Sequence, residues 1–184
     1  DLVFPHHEDE SAQSRSAHAG SPLARYWLHN GFLTLTDTAA GVGKMSKSLG
    51  NVVSVGELLE RGHGGETLRL ALLSAHYRQP LEWNEALLSR TKTILDRLYR
   101  RLKMFSFIDD EELGIDDCNQ AVVDALADDL NTPLALSKLV AIDDPKSLIA
   151  SGMLLGLFSR RDRWLRNYLE GPSAESDHEA SQIA

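Results

Sequence analysis

Very little of this sequence can be β-strand. Leu2-Val3-Phe4 is an apolar run that reads as the end of a buried strand. Phe32-Leu33-Thr34-Leu35-Thr36 has β-propensity and reads as a second. A buried strand needs neighbours to pair with, and the rest of the chain offers few. After Asn51 the pattern turns helical. Residues 55–61 form a short predicted helix, with Ser54 as cap and Gly62 as stop. A second covers 66–76, with Leu68, Leu72 and Ala75 on one stripe and Leu73 beside it. The longest covers 84–105, capped by Asn84, with Leu87, Ile94, Leu98, Leu102 and Phe105 at helical spacing. Further helices are expected over 120–129 and 145–158. In the last, Leu148, Leu155 and the Met153/Leu154 pair are core candidates. The expected fold is mainly α, with a small α/β remnant at the start.

An earlier helix is expected over 6–19, ending near Gly20. Pro5 suits its first turn, and Glu8, Asp9 and Glu10 are favourable at its N-terminus. Residues 37–43 are small and polar and read as a turn. Residues 107–119 are acidic and read as a loop. From Gly171 onward Ser, Glu, His and Ala dominate, which reads as a disordered tail.

Composition narrows the function classes. The 184 residues allow one domain or two small ones, and a hydrophobic fraction of 42% is enough for a packed core. The net charge of −8 gives no support for nucleic-acid binding overall. Local charge does better. The 84–105 helix carries Arg90, Lys92, Arg97, Arg100, Arg101 and Lys103 on its other face. Arg160, Arg161, Arg163 and Arg166 cluster near Trp164. Such faces are either simply solvated or bind phosphates. A single cysteine, Cys118, excludes an internal disulfide and suits a reducing cytoplasm. No apolar run approaches membrane-spanning length, so no membrane partner is expected.

Two stretches carry chemistry. Lys44-Met45-Ser46-Lys47-Ser48 packs two lysines and two serines into five residues, with Gly41, Gly43 and Gly50 around them. Glycines permit turn conformations closed to other residues. Backbone N–H groups and ammonium groups together suit a polyphosphate. The P-loop spacing is missing, and a Lys/Ser loop can equally be solvated surface. The other stretch is Phe4-Pro5-His6-His7-Glu8-Asp9-Glu10. His6 and Glu10 are four apart and share one helix face. They could ligate zinc, but zinc takes three or four protein ligands. The alternative is local hydrogen bonding by the histidines and helix capping by the acids.

These segments occur in order with Tyr26-Trp27-Leu28-His29-Asn30-Gly31-Phe32, Leu73-Ser74-Ala75-His76-Tyr77-Arg78 and Asp128-Asp129-Leu130-Asn131-Thr132-Pro133. The set resembles cysteinyl-tRNA synthetase, a class I aminoacyl-tRNA synthetase, over roughly residues 1–136. The KMSKS motif marks the class. The FPHHE-x-E and YW-x-HNG segments point to the cysteine enzyme. The resemblance implies the end of a class I nucleotide-binding (Rossmann-like) domain over 1–53. A helical stem-contact and tRNA-binding bundle follows over 54–170, and then a tail over 171–184.

The resemblance also implies a function: ATP-dependent activation of cysteine and its transfer to tRNA-Cys in the cytoplasm. Lys44 and Lys47 would be the catalytic residues. Lys44, Met45, Ser46, Lys47 and Ser48 would hold ATP, chiefly through Lys47. Magnesium is implied by the triphosphate. A zinc ion would bind the substrate thiol through His6, Glu10 and two cysteines. Those cysteines, like the HIGH-type motif, belong to chain upstream of Asp1, so the isolated chain is expected to be inactive without an amino-terminal half. The stretch between Pro133 and Gly156 is shorter than the family pattern. Two other readings stay open: a cysteine ligase of mycothiol biosynthesis, and a non-catalytic helical tRNA-binding fragment.

Overall fold

The computed structural model describes residues 2–35, 43–44, 53–103 and 113–158, with only the backbone described at Leu2 and at 43–44. The opening apolar run is not a strand. Leu2–His7 form an irregular helical turn interrupted at Phe4, which alone is extended. Val3 and Phe4 are exposed. Among the described residues no strand pairs with the run. The helical path continues through His7 into α1 (Glu8–Ala17), whose first turn holds Glu8, Asp9 and Glu10. It ends at Gly20, whose φ of 85° favours glycine.

The strand expected around Phe32 to Thr36 is present as β1 (Leu33–Leu35); Thr36 and the 37–42 turn lie outside the described residues. β1 is the middle strand of a small sheet. On one side β2 (Gly43–Lys44) runs antiparallel, with Thr34 opposite Lys44. On the other side β3 (Leu81–Trp83) runs parallel, with Leu35 opposite Trp83. A parallel pair needs a crossover. Here it holds α2 (Val55–Glu60) and α3 (Gly65–Leu73).

The capping chemistry read from the sequence holds. Ser54 accepts from the Glu57 amide at 3.2 Å, and the Glu57 carboxylate accepts from the Ser54 amide at 2.9 Å. Those bonds lower the Glu57 pKa and close a reciprocal capping box. Asn84 caps α4 (Glu85–Leu102) by accepting from the Leu87 amide at 2.8 Å. Three more helices follow: α5 (Gln120–Ala127), α6 (Thr132–Val140) and α7 (Pro145–Leu154). Each is capped by Asn119, Asn131 or Asp144. α6 has no counterpart in the sequence expectations. α7 stops short of residue 158, at a turn where Gly156 has a φ of 70°.

Two cores result. The smaller joins Leu35 and Trp83 of the sheet to Leu58, Leu68, Ala71, Leu87 and Leu88. The larger joins Leu70, Leu95, Leu98, Tyr99 and Leu102 to Val122, Leu139, Leu148, Ile149, Leu157 and Phe158. Burying each such side chain contributes about 1.5–3 kcal/mol.

Several expected core positions are corrected. On α3 the buried residues are Thr67, Leu68, Leu70 and Ala71, while Leu72 is 54% exposed. α3 is gripped from two sides, by both cores, so its buried arc is rotated away from the expected stripe. On α7, Met153 and Leu154 are exposed, and Leu157 and Phe158 fill the space instead. The chain turns back after the helix and brings them in.

Candidate functional site

The site is organised around β1 and the segment leading into it. His7 lies 2.6 Å from His29, Nδ1 to Nδ1, and the two rings stack with centroids 4.7 Å apart. One ring donates and the other accepts. Trp27 lies tilted against His7 at 6.1 Å. The start of α1 is thereby tied to the strand that follows it. Next comes Gly31, whose amide donates to the Tyr77 carbonyl at 2.7 Å. A Cβ on Gly31 would sit 2.3 Å from the Gln79 carbonyl oxygen. Only glycine lets the 76–80 backbone come this close.

Gly31→Ala must therefore push two backbones apart. The expected cost is about 1–3 kcal/mol, the range for an overpacked site. Thermal denaturation of the full chain measures it. A variant as stable as the parent would show that the close approach is unnecessary.

The same loop reaches the helical bundle. The Tyr77 hydroxyl donates to Asp129 Oδ1 at 2.7 Å. Arg78 donates to Asp129 through Nε at 2.7 Å and Nη2 at 3.2 Å. The Arg78 and Tyr77 hydrogen bonds hold the Asp129 carboxyl below the usual range, and the bond to Asp129 raises the Tyr77 hydroxyl. A depressed folded-state pKa stabilises above the unfolded value and is lost as pH falls through the folded one. Asp129→Asn is accordingly expected to flatten the acid limb of the melting-temperature profile, below about pH 4. An unchanged acid limb would mean that the clamp adds nothing to stability.

The expected site residues are placed as follows. His6 and Glu10 are both exposed, one helical turn apart. Among the described residues no group of three His, Cys, Asp or Glu side chains could hold a metal ion. Two such side chains would supply half the donors of a tetrahedral zinc shell. Lys44 lies on β2, with its backbone opposite Thr34, so β1 sets where the Lys/Ser loop begins. Met45, Ser46, Lys47 and Ser48 lie outside the described residues, as do Phe105, the arginines at 160–166 and the 171–184 tail.

On α4, Arg90, Lys92, Arg97 and Arg100 are exposed, as expected. Lys92 pairs with Asp96 at 2.6 Å. Arg101 is different. Its guanidinium donates to the Val140 and Ile142 carbonyls, bridging α4 to the end of α6. It is a structural cross-link and leaves the basic face.

The chain is similar to known proteins over most of its length. The family model for the catalytic domain of class I (C) tRNA synthetases matches residues 1–93. The chain belongs to that family. It is 49% identical over 171 residues to the cysteine–tRNA ligase of Parvibaculum lavamentivorans, covering 85% of this chain and 35% of that protein. It is 50% identical over 163 residues to the cysteine–tRNA ligase of Maricaulis maris, covering 84% of this chain and 33% of the relative. The Xanthomonas euvesicatoria cysteine–tRNA ligase is 49% identical over 166 residues, covering 88% and 34%. The chain thus spans about a third of the length of the curated relatives it matches. Among the described residues no helix is long and apolar enough to cross a membrane.

His7, Gly31, Tyr77, Arg78 and Asp129 had no individual role in the sequence reading. One signal pointed to Gly31: a glycine directly before a β-prone run marks a close backbone approach.

Proposed function

We propose that the chain supplies the KMSKS loop and the helical stem-contact region of a cysteine–tRNA ligase acting in the cytoplasm. The observation that carries this is the ordered motif set built around β1, together with about 50% identity to proteins of that name. Residues 1–53 would be the end of the catalytic domain and 54–170 the tRNA-binding bundle.

In this reading the carboxylate of cysteine attacks the α-phosphorus of ATP. An oxygen–phosphorus bond forms, and pyrophosphate leaves with the bonding pair. The terminal ribose hydroxyl of tRNA-Cys then attacks the adenylate carbonyl and AMP departs. Negative charge grows on pyrophosphate during the first step. Lys47, with Lys44 beside it, supplies compact positive charge where that growth occurs. Met45, Ser46 and Ser48 would join the lysines in holding the phosphates, and magnesium would neutralise part of the triphosphate charge. His6 and Glu10 would hold zinc together with two thiolates from outside this chain. When bound, that ion favours the thiolate form of the substrate cysteine.

The test is a segment exchange. This chain replaces the matching third of the Parvibaculum lavamentivorans relative, and cysteine-dependent exchange of pyrophosphate into ATP is measured. Retained exchange supports the reading. Correctly folded protein without exchange overturns it.

The exposed arginines of α4 suit phosphate contact. Replacing Arg90, Arg97 and Arg100 by glutamine is expected to weaken tRNA binding and lower the slope of log affinity against log salt. The fall should be about 0.9 per lost duplex phosphate contact. A titration of tRNA at several salt concentrations measures it, and an unchanged slope would assign that face to solvent.

A further inference from the structure

The turn between α5 and α6 is strained. Asp129 and Leu130, neither of them glycine, have φ of 52° and 54°. Consecutive left-handed residues with side chains are costly and persist where surrounding structure enforces them. The product of this conformation is the aim of one carboxylate. Asp129 is half exposed, yet both its oxygens are engaged, by Tyr77 and by a two-pronged contact from Arg78. His76 lies 3.9 Å away, and Thr132 donates to the Ala75 carbonyl at 3.3 Å. These side-chain contacts fall on the 75–78 segment.

That segment is in turn the support of the sheet. Tyr77 offers its carbonyl to Gly31, and the Leu81 amide donates to the Phe32 carbonyl at 2.9 Å. β1 follows at once, and β1 sets the register of Lys44 on β2. Four links therefore run from the bundle turn to the strand that opens the Lys/Ser loop: Asp129, the 75–78 segment, Gly31 with β1, and β2.

We propose that Asp129 is a positioning residue for the β1–β2 pair and for the Lys44 backbone on it, holding that pair and the helical bundle at one fixed placement. Its significance for catalysis rests on the reading of Lys44 and Lys47 as the ATP-facing lysines. The experiment below does not depend on that reading. A surface ion pair contributes little to stability singly, so the acid-limb effect of Asp129→Asn is small beside the effect of the clamp on placement.

The decisive variant is Asp129→Gly. Glycine adopts a φ near 52° without strain, so the fold is retained while the carboxylate is lost. Asp129→Asn is its partner, because asparagine tolerates the left-handed region and keeps one acceptor oxygen. Hydrogen exchange of the full chain is followed by mass spectrometry. In Asp129→Gly, protection of Leu33–Leu35 and Gly43–Lys44 should fall about tenfold, as expected for a local opening, while α4 and α7 keep theirs. Asp129→Asn should recover most of the loss. Loss confined to residues 75–80, or spread equally to α4 and α7, would overturn the proposal. The first shows a contact without reach, and the second a merely global role.

Discussion

Phe158→Ala is expected to remove about 3–5 kcal/mol of stability, the range for deleting a fully buried aromatic ring. The ring is 1% exposed and meets Tyr99 edge-on, with centroids 5.4 Å apart. It also lies against the Gly152 backbone, where an added Cβ would be 2.0 Å from the ring. Tyr99 is itself held by a 2.6 Å hydrogen bond to Glu66. The ring thus joins α7 to α4, and through Tyr99 to α3. A cavity at this point loosens three helices together. Total stabilities of 5–15 kcal/mol make such a loss a large share of the whole. Met153→Ala is the comparison. Met153 is 40% exposed, so its truncation should stay within about 0.5 kcal/mol, as for ordinary surface changes. Urea denaturation of both variants measures the contrast. Equal effects would mean that the bundle core is not closed by the turn after α7.

That contrast reverses the sequence expectation for α7, and the reason is physical. Met153 and Leu154 are apolar and sit on a helix, so periodicity admits them to a core. Phe158 reaches the core only because the chain folds back after the helix, with φ of 70° at Gly156 and 66° at Phe158 itself. No helical period contains that reversal. β3 escaped for a related reason. Leu81-Glu82-Trp83 is three residues long, follows Pro80, and becomes a strand because β1 lies beside it. Leu2-Val3-Phe4 shows the converse, since apolar composition alone does not supply a pairing edge. Features written in local chemistry were legible. Ser54, Asn84 and Gly62 cap or stop their helices where the sequence put them.

The candidate site divides the same way. His6 and Glu10 were visible through their spacing, and Lys44 through its loop composition. The Asp129 clamp joins residues about fifty apart in sequence, and only the fold brings them together. Arg101 was assigned to a basic face by helical period, because carbonyl acceptors at the end of another helix leave no trace in local sequence.

Lys47→Ala, made in the segment-exchange enzyme, is expected to slow adenylate formation by roughly 10²–10³, or about 3–4 kcal/mol, the usual result of losing one contact at a developing charge. Lys47 is the second lysine of the loop, and the family resemblance assigns it to the ATP phosphates. Its ammonium should interact more strongly with the transition state than with bound ATP, because charge on the departing pyrophosphate increases as the bond breaks. An interaction of that kind lowers the rate constant when removed and leaves ground-state binding nearly intact. Cysteine affinity should therefore change little. Lys47→Arg should restore only part of the rate, since a planar guanidinium does not reproduce a compact point charge. Pre-steady-state measurement of adenylate formation separates these effects from tRNA binding. If Lys47→Ala left that step intact and weakened only the affinity for tRNA, the loop would be an RNA contact. The charge assigned to pyrophosphate would then have to come from elsewhere in the enzyme.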